Sequence, residues 1–160
     1  MKVFRSIDPA ATVREDSMEH DVATTDSDPS LTTLLLTTAR ELTATVERHL
    51  ADTGLGIDDW LAIATLASAP ELTMTELRNR TLTSAPTLSR VTDRLVSKAL
   101  VFREADAADR RRVRLHLSKR GTELYQKLNP LIQAAERDWA AANDSNPLVR
   151  SLQRHRLRSR

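Results

Sequence analysis

Between Ser84 and Leu95 the chain reads Ser-Ala-Pro-Thr-Leu-Ser-Arg-Val-Thr-Asp-Arg-Leu, setting hydroxyls and guanidinium groups beside regularly spaced aliphatics. Leu88, Val91 and Leu95 share one helical face by their i, i+3, i+7 spacing, which leaves Thr87, Arg90 and Arg94 on the other. With Ser84 as N-cap, Pro86, Thr87, Ser89 and Arg90 fill the first turns. A helix fits the major groove of B-DNA, where hydroxyls and arginines hydrogen-bond to base edges and phosphates, and Arg90 suits a bidentate contact to guanine. The same residues also describe an ordinary surface helix with a solvated arginine face.

A second chemical feature follows at once. Val101-Phe102-Arg103-Glu104 leads into a polar stretch from Ala105 to Arg111, after which Val113, Leu115 and Leu117 alternate with Arg112, Arg114 and His116. Alternation of period two on both sides of a polar tip predicts a β-hairpin. Asp109, Arg110, Arg111 and Arg112 cluster at that tip, where an arginine could enter a minor groove and read its width. The competing reading is a solubilising turn whose Asp-Arg surface pair contributes at most about 1 kcal/mol.

Other chemistry finds little support. His20, His49, His116 and His155 lie far apart and lack the carboxylate spacing of a zinc motif. With no Cys there is no disulfide framework, thiolate site or cysteine peroxide sensor. Gly54, Gly56 and Gly121 form neither a phosphate loop nor a dinucleotide fingerprint, and no Ser occupies a nucleophile elbow. Asp58 and Asp59 are accounted for by the preference of acids for a first helical turn. The expectation is therefore a protein that is not an enzyme and uses no metal or cofactor.

The elements that must position the two basic features can be read from the flanks. At 160 residues the chain is one domain in length, with 40% apolar and 29% charged residues but only two Phe, two Trp and one Tyr. Its core must be built from Leu, Val and Ala, which favours helices. Residues 1–29 lack apolar periodicity and read as a mobile tail. From the N-cap Ser30, the stripe Leu31, Leu34, Leu35, Ala39, Leu42, Val46, Leu50 predicts a helix ending near Gly54. A second helix is predicted from Asp58 to Ala69, stopped by Pro70. Thr73 and Glu76 match a capping box that starts a helix over 74–80. Ser118 caps a long helix with Leu124, Leu128, Leu131, Ala135, Trp139 and Ala142 expected inward, and Pro130 either bends or divides it. A last short helix is expected from Leu148 to about Leu157.

Charge is segregated along the chain. Residues 1–30 hold three Lys or Arg against seven acids, residues 81–120 ten against four, and residues 146–160 five Arg and no acid. That asymmetry points to a polyanionic partner for the basic parts. No run reaches the roughly 18 apolar residues of a membrane span, and the first residues are too polar for a signal peptide, so a cytoplasmic protein is expected.

From Leu72 to Gly121 the sequence resembles the winged helix-turn-helix core of the MarR (multiple antibiotic resistance regulator) family of transcription factors. The resemblance is carried by Glu76-Leu77, Thr87-Leu88-Ser89-Arg90, Asp93-Arg94-Leu95, Arg103, Asp109-Arg110-Arg111 and Leu117-Ser118-Lys119-Arg120-Gly121. It implies a mainly α fold with a small β-hairpin wing, the winged helix-turn-helix over 57–117 being flanked by dimerisation helices over 30–54 and 118–160 of one domain. It also implies a homodimeric repressor that binds a pseudo-palindromic site on double-stranded DNA. In the family the wing aspartate orients an arginine toward the minor groove, which gives those roles to Asp109 and Arg111. A small-molecule effector is implied too, although no residue here matches a pocket; Trp60, Arg40 and His49 merely fall near its expected region. The sequence departs from the family pattern at Arg78, Thr81, Thr83, Leu82 and Ala99, the last two replacing glycines. An interaction module without specific DNA reading is the alternative.

Overall fold

The computed structural model describes residues 29–106, 109, 112–143, 145, 147, 148, 150–152 and 154. The main elements among the described residues are α1 Leu31–Leu50, α2 Ile57–Ser68, β1 Leu72–Thr73, α3 Met74–Thr81, α4 Ala85–Ser97, β2 Val101–Ala105, β3 Val113–Leu117 and α5 Lys119–Ala142. The expected tail lies outside the described residues apart from Pro29. A 3-10 turn over Ala51–Thr53 closes α1, and Gly54 follows it in the left-handed region at φ 62°.

Each helix begins where a side chain can satisfy its free amides. Ser30, Ser84 and Ser118 cap α1, α4 and α5, accepting from Thr33, Thr87 and Gly121. Thr73 and Glu76 form the predicted capping box: the carboxylate accepts the Thr73 N–H at 2.7 Å and the Thr73 hydroxyl accepts the Glu76 N–H at 3.3 Å. At α2 the Gly56 N–H donates to Asp59 at 2.9 Å.

The sheet runs β1-β3-β2, antiparallel throughout, with Leu72 opposite Leu115 and Val101 opposite Leu117. Two-residue β1 carries no alternation, so sequence reading missed it. Beneath the sheet, Leu50, Ile63, Leu77, Leu88, Val91, Leu95, Leu115 and Ile132 form the centre of one core. Burial of one such aliphatic side chain is worth about 1.5–3 kcal/mol.

The inward face of α5 is the feature of the helices that departs from expectation. Helix α5 runs without interruption through Pro130. Its buried positions are Gly121, Leu128, Ile132 and Ala140, whereas Leu131 is 50% exposed and Ala142 is exposed. The inward face thus rotates by one residue after the proline. Only Val46 and Leu50 of the α1 stripe are buried; Leu31 is 72% exposed, and Leu34, Leu35 and Leu36 also face outward. Toward the carboxyl end, residues 147, 148, 150–152 and 154 are helical.

Close packing at the foot of the hairpin explains Gly121. The Ser118 N–H donates to the Leu100 carbonyl at 3.0 Å and its hydroxyl to the Ala99 carbonyl at 2.7 Å, drawing α5 against this turn. A Cβ on Gly121 would collide with the Leu100 carbonyl.

Candidate nucleic-acid interface

Helix α4 is seated by Leu88, Val91 and Leu95, all nearly inaccessible, so its opposite face is presented outward. Ser84, Pro86, Ser89 and Arg90 are exposed there and Thr87 is half-buried. The Ser84 hydroxyl donates to the Thr87 hydroxyl at 2.8 Å, and its oxygen accepts the Thr87 N–H at 3.3 Å. Five of the six predicted helix residues are thereby gathered on the first two turns of α4. They form a surface of hydroxyls, one cation and a rigid Pro that a major groove can accept.

Arg94 differs from the other five. Its Nε donates to Asp59 Oδ1 and Oδ2 at 2.9 and 3.0 Å and its Nη2 to Oδ1 at 2.8 Å. The Asp59 side chain is 1% exposed and that of Arg94 46%. A planar fork on a carboxylate is the strong geometry for such a pair. Asp59 therefore serves both the start of α2 and the mounting of α4. Sequence reasoning gave Asp59 only the first role; its place as the second of two acids, directly before the apolar run Trp60-Leu61-Ala62-Ile63, was the available signal for a buried partner. Next along α4, Asp93 accepts from Arg103 of β2 at 2.6 Å, an exposed pair that ties the helix to the wing.

In the wing, the Asp106 N–H donates to the Arg112 carbonyl at 2.9 Å and the Arg112 N–H to the Asp109 carbonyl at 2.8 Å. The Asp109 carboxylate lies 3.6 Å from Arg112 Nε. Arg110 and Arg111 lie outside the described residues, and so does the expected Asp109–Arg111 relation. A residue that sequence reading overlooked, Asp106, accepts from Arg114 Nε at 2.7 Å and raises the Arg114 pKa through that bond and its charge. The other arm of Arg114 donates to the Glu71 carbonyl at 3.0 Å, fastening the wing to the loop before α3.

The turn between α3 and α4 keeps its form despite lacking glycine. Leu82 adopts φ 56° and ψ 22° and donates its N–H to the Arg78 carbonyl at 2.8 Å. Ala99, ahead of the hairpin, adopts φ 54°. Each is a left-handed residue that carries a Cβ, a conformation costing about 1–2 kcal/mol. Arg78 is exposed, at a cleft between α3 and α4 that it lines with Met74, Thr75, Ala85 and Leu88. Thr81 and Thr83 are half-buried, with the Thr81 hydroxyl donating to the Leu77 carbonyl at 2.9 Å.

Of the residues near the expected effector region, Trp60 is buried and stacked on Tyr125 of α5, ring centres 5.6 Å apart, while Arg40 and His49 are exposed. Among the described residues no group of three or more His, Cys, Asp or Glu could hold a metal ion, and no helix is long and apolar enough to cross a membrane.

Comparison with known proteins bears on this geometry. Residues 53–112 match the MarR family. Among curated proteins there is no match. The fold is similar to that of a probable transcriptional regulator from Pseudomonas aeruginosa, at 23% identity and a TM-score of 0.69 over 79% of this chain and 97% of that one. It is also similar to a cysteine-to-serine mutant of MarR from E. coli complexed with operator DNA, at 21% identity and a TM-score of 0.69 over 79% and 93% of the two chains. NadR in complex with 4-hydroxyphenylacetate is similar as well, at 25% identity and a TM-score of 0.67 over 82% and 95% of the two chains.

Proposed function

We propose that this chain, whose residues 53–112 match the MarR family, is a winged-helix transcriptional regulator of that family and a homodimeric repressor. It reads a pseudo-palindromic operator through α4 in the major groove and the wing in the minor groove. The observation that carries this reading is the outward surface of Ser84, Pro86, Thr87, Ser89 and Arg90 on a helix whose other face is fixed in the core. Arg90 takes the bidentate base contact, with Asp109, Arg110, Arg111 and Arg112 at the minor groove. Arg94 acts as a positioning residue through Asp59.

Dimerisation is supported by the exposed Leu31, Leu34, Leu35 and Leu36 of α1 and Leu131 of α5. Helices over 30–54 and 118–160 form this half of a single domain, and 57–117 the DNA-binding half. Two-fold symmetry sets half-sites about one duplex turn, roughly 34 Å, apart. A small-molecule effector that relieves DNA binding belongs to this reading, and the similar NadR has a structure that holds 4-hydroxyphenylacetate. The alternative is a module without specific DNA reading, which drew on the irregular turn residues; the turn closed at Leu82 supports the first reading.

The test is selection of duplexes from a random pool, then binding of the selected site across salt concentrations. Neutralisation of 6 to 10 phosphates predicts a loss of about 10³–10⁵ in affinity from 50 to 200 mM salt. Arg90→Ala should cost about 1–3 kcal/mol and relax one base position, whereas Arg111→Ala should weaken all sequences evenly and flatten the salt slope. Failure to enrich any sequence, or wild-type behaviour of both variants, would refute the reading.

A further inference from the structure

Leu82 is 90% exposed, more than any other exposed large hydrophobic of the described residues, and it sits in the left-handed region. A lone surface leucine is ordinary, but a bulky residue in this backbone region is uncommon because its Cβ crowds the neighbouring carbonyl. The cap of α3 does not need the side chain, since the backbone N–H makes the bond to Arg78. Glycine would close the same turn without crowding. In the free protein this isobutyl group thus gains nothing from packing and occupies a strained position.

Its location suggests a use. Leu82 precedes the N-cap Ser84 by two residues, so its Cα lies within about 8 Å of the first turn of α4. Both flanking threonines are half-buried, and only Leu82 of the three stands fully outward. In a major groove the exposed apolar group is the 5-methyl of thymine. We infer that Leu82 is a specificity-determining residue that packs on one thymine 5-methyl group in each half-site. The inference rests on the placement of α4 in the major groove proposed above.

The test replaces each thymine of the selected duplex by deoxyuridine, which removes the methyl and leaves base pairing intact. Wild-type protein should lose about fourfold in affinity at one position per half-site, the worth of one buried methyl-sized group. Leu82→Ala and Leu82→Gly should bind the thymine and deoxyuridine duplexes equally. Leu82→Ala keeps the Cβ and its crowding while Leu82→Gly removes both, so agreement between them separates contact from backbone strain. A wild-type protein indifferent to every substitution, or a methyl effect that persists in Leu82→Ala, would overturn the inference while leaving DNA binding intact. Absence of any selected duplex would instead overturn the DNA-binding reading, and this inference with it.

Discussion

Truncating Arg94 to alanine should destabilise the fold more than neutralising its partner, although both changes break the same ion pair. In Arg94→Ala the Asp59 carboxylate, 1% exposed, keeps the Gly56 N–H as its remaining described donor. Removing one partner of a buried pair costs about 3–5 kcal/mol, because the other charge is left without compensation. Arg94 is itself 46% exposed, so water can enter once it is cut, and the lower end, about 3 kcal/mol, applies. In Asp59→Asn the half-exposed guanidinium can turn to water and the amide oxygen can still accept from Gly56, so about 1–2 kcal/mol is expected. With a urea slope of about 2 kcal/mol per molar, the midpoints should fall by roughly 1.5 M and 0.5–1 M. Urea titration followed by far-UV circular dichroism, at one fixed protein concentration, measures both. An Asp59→Asn loss equal to or larger than that of Arg94→Ala would refute the argument from desolvation.

Three further outcomes follow from the packing. Gly121→Ala should lower stability by about 1–3 kcal/mol despite the better helix propensity of alanine, because the Leu100 backbone has to move; an unchanged thermal midpoint would show that it moves freely. Ala99→Gly should raise stability by about 1 kcal/mol by releasing the left-handed Cβ, and a lowered urea midpoint would contradict this. Hydrogen bonds from the Thr73 N–H and hydroxyl hold the Glu76 pKa below its usual 4.5. A depressed carboxylate stabilises the fold above its unfolded pKa and loses that contribution as pH falls through the folded one. Stability of the wild type should therefore decline below about pH 4.5 more steeply than that of Glu76→Gln, and parallel acid limbs would disprove the capping contribution.

Much of the fold was legible because local signals agree with the tertiary outcome. Ser30, Thr73, Ser84 and Ser118 cap the helices they were expected to cap, and Leu88, Val91 and Leu95 are buried on the face their spacing assigned. What could not be read depends on partners distant in sequence. Arg94 looked like its neighbour Arg90 because both project from the polar side of one helix; Asp59, thirty-five residues away, separates their roles. Strand β1 exists only through Leu115 and Arg114 opposite it. The inward face of α5 was misassigned beyond Pro130, where an even 3.6-residue count from Leu124 selects Leu131 and the packing selects Ile132. On α1 the stripe is real, but within the chain only its last two turns are covered.

Two ion pairs tie adjacent residues of α4 to other elements, Arg94 to the Asp59 carboxylate of α2 and Asp93 to the Arg103 guanidinium of β2. Both fastenings lie in the second half of the helix. The half from Ser84 to Arg90 carries no such tether to another element among the described bonds. Apart from the buried Leu88, residues in that forward portion can change over evolutionary time without loosening the mount, so on the reading proposed above a lineage can acquire new target sequences while inheriting the same scaffold, and a short graft of the exposed positions from one relative to another would transfer preference.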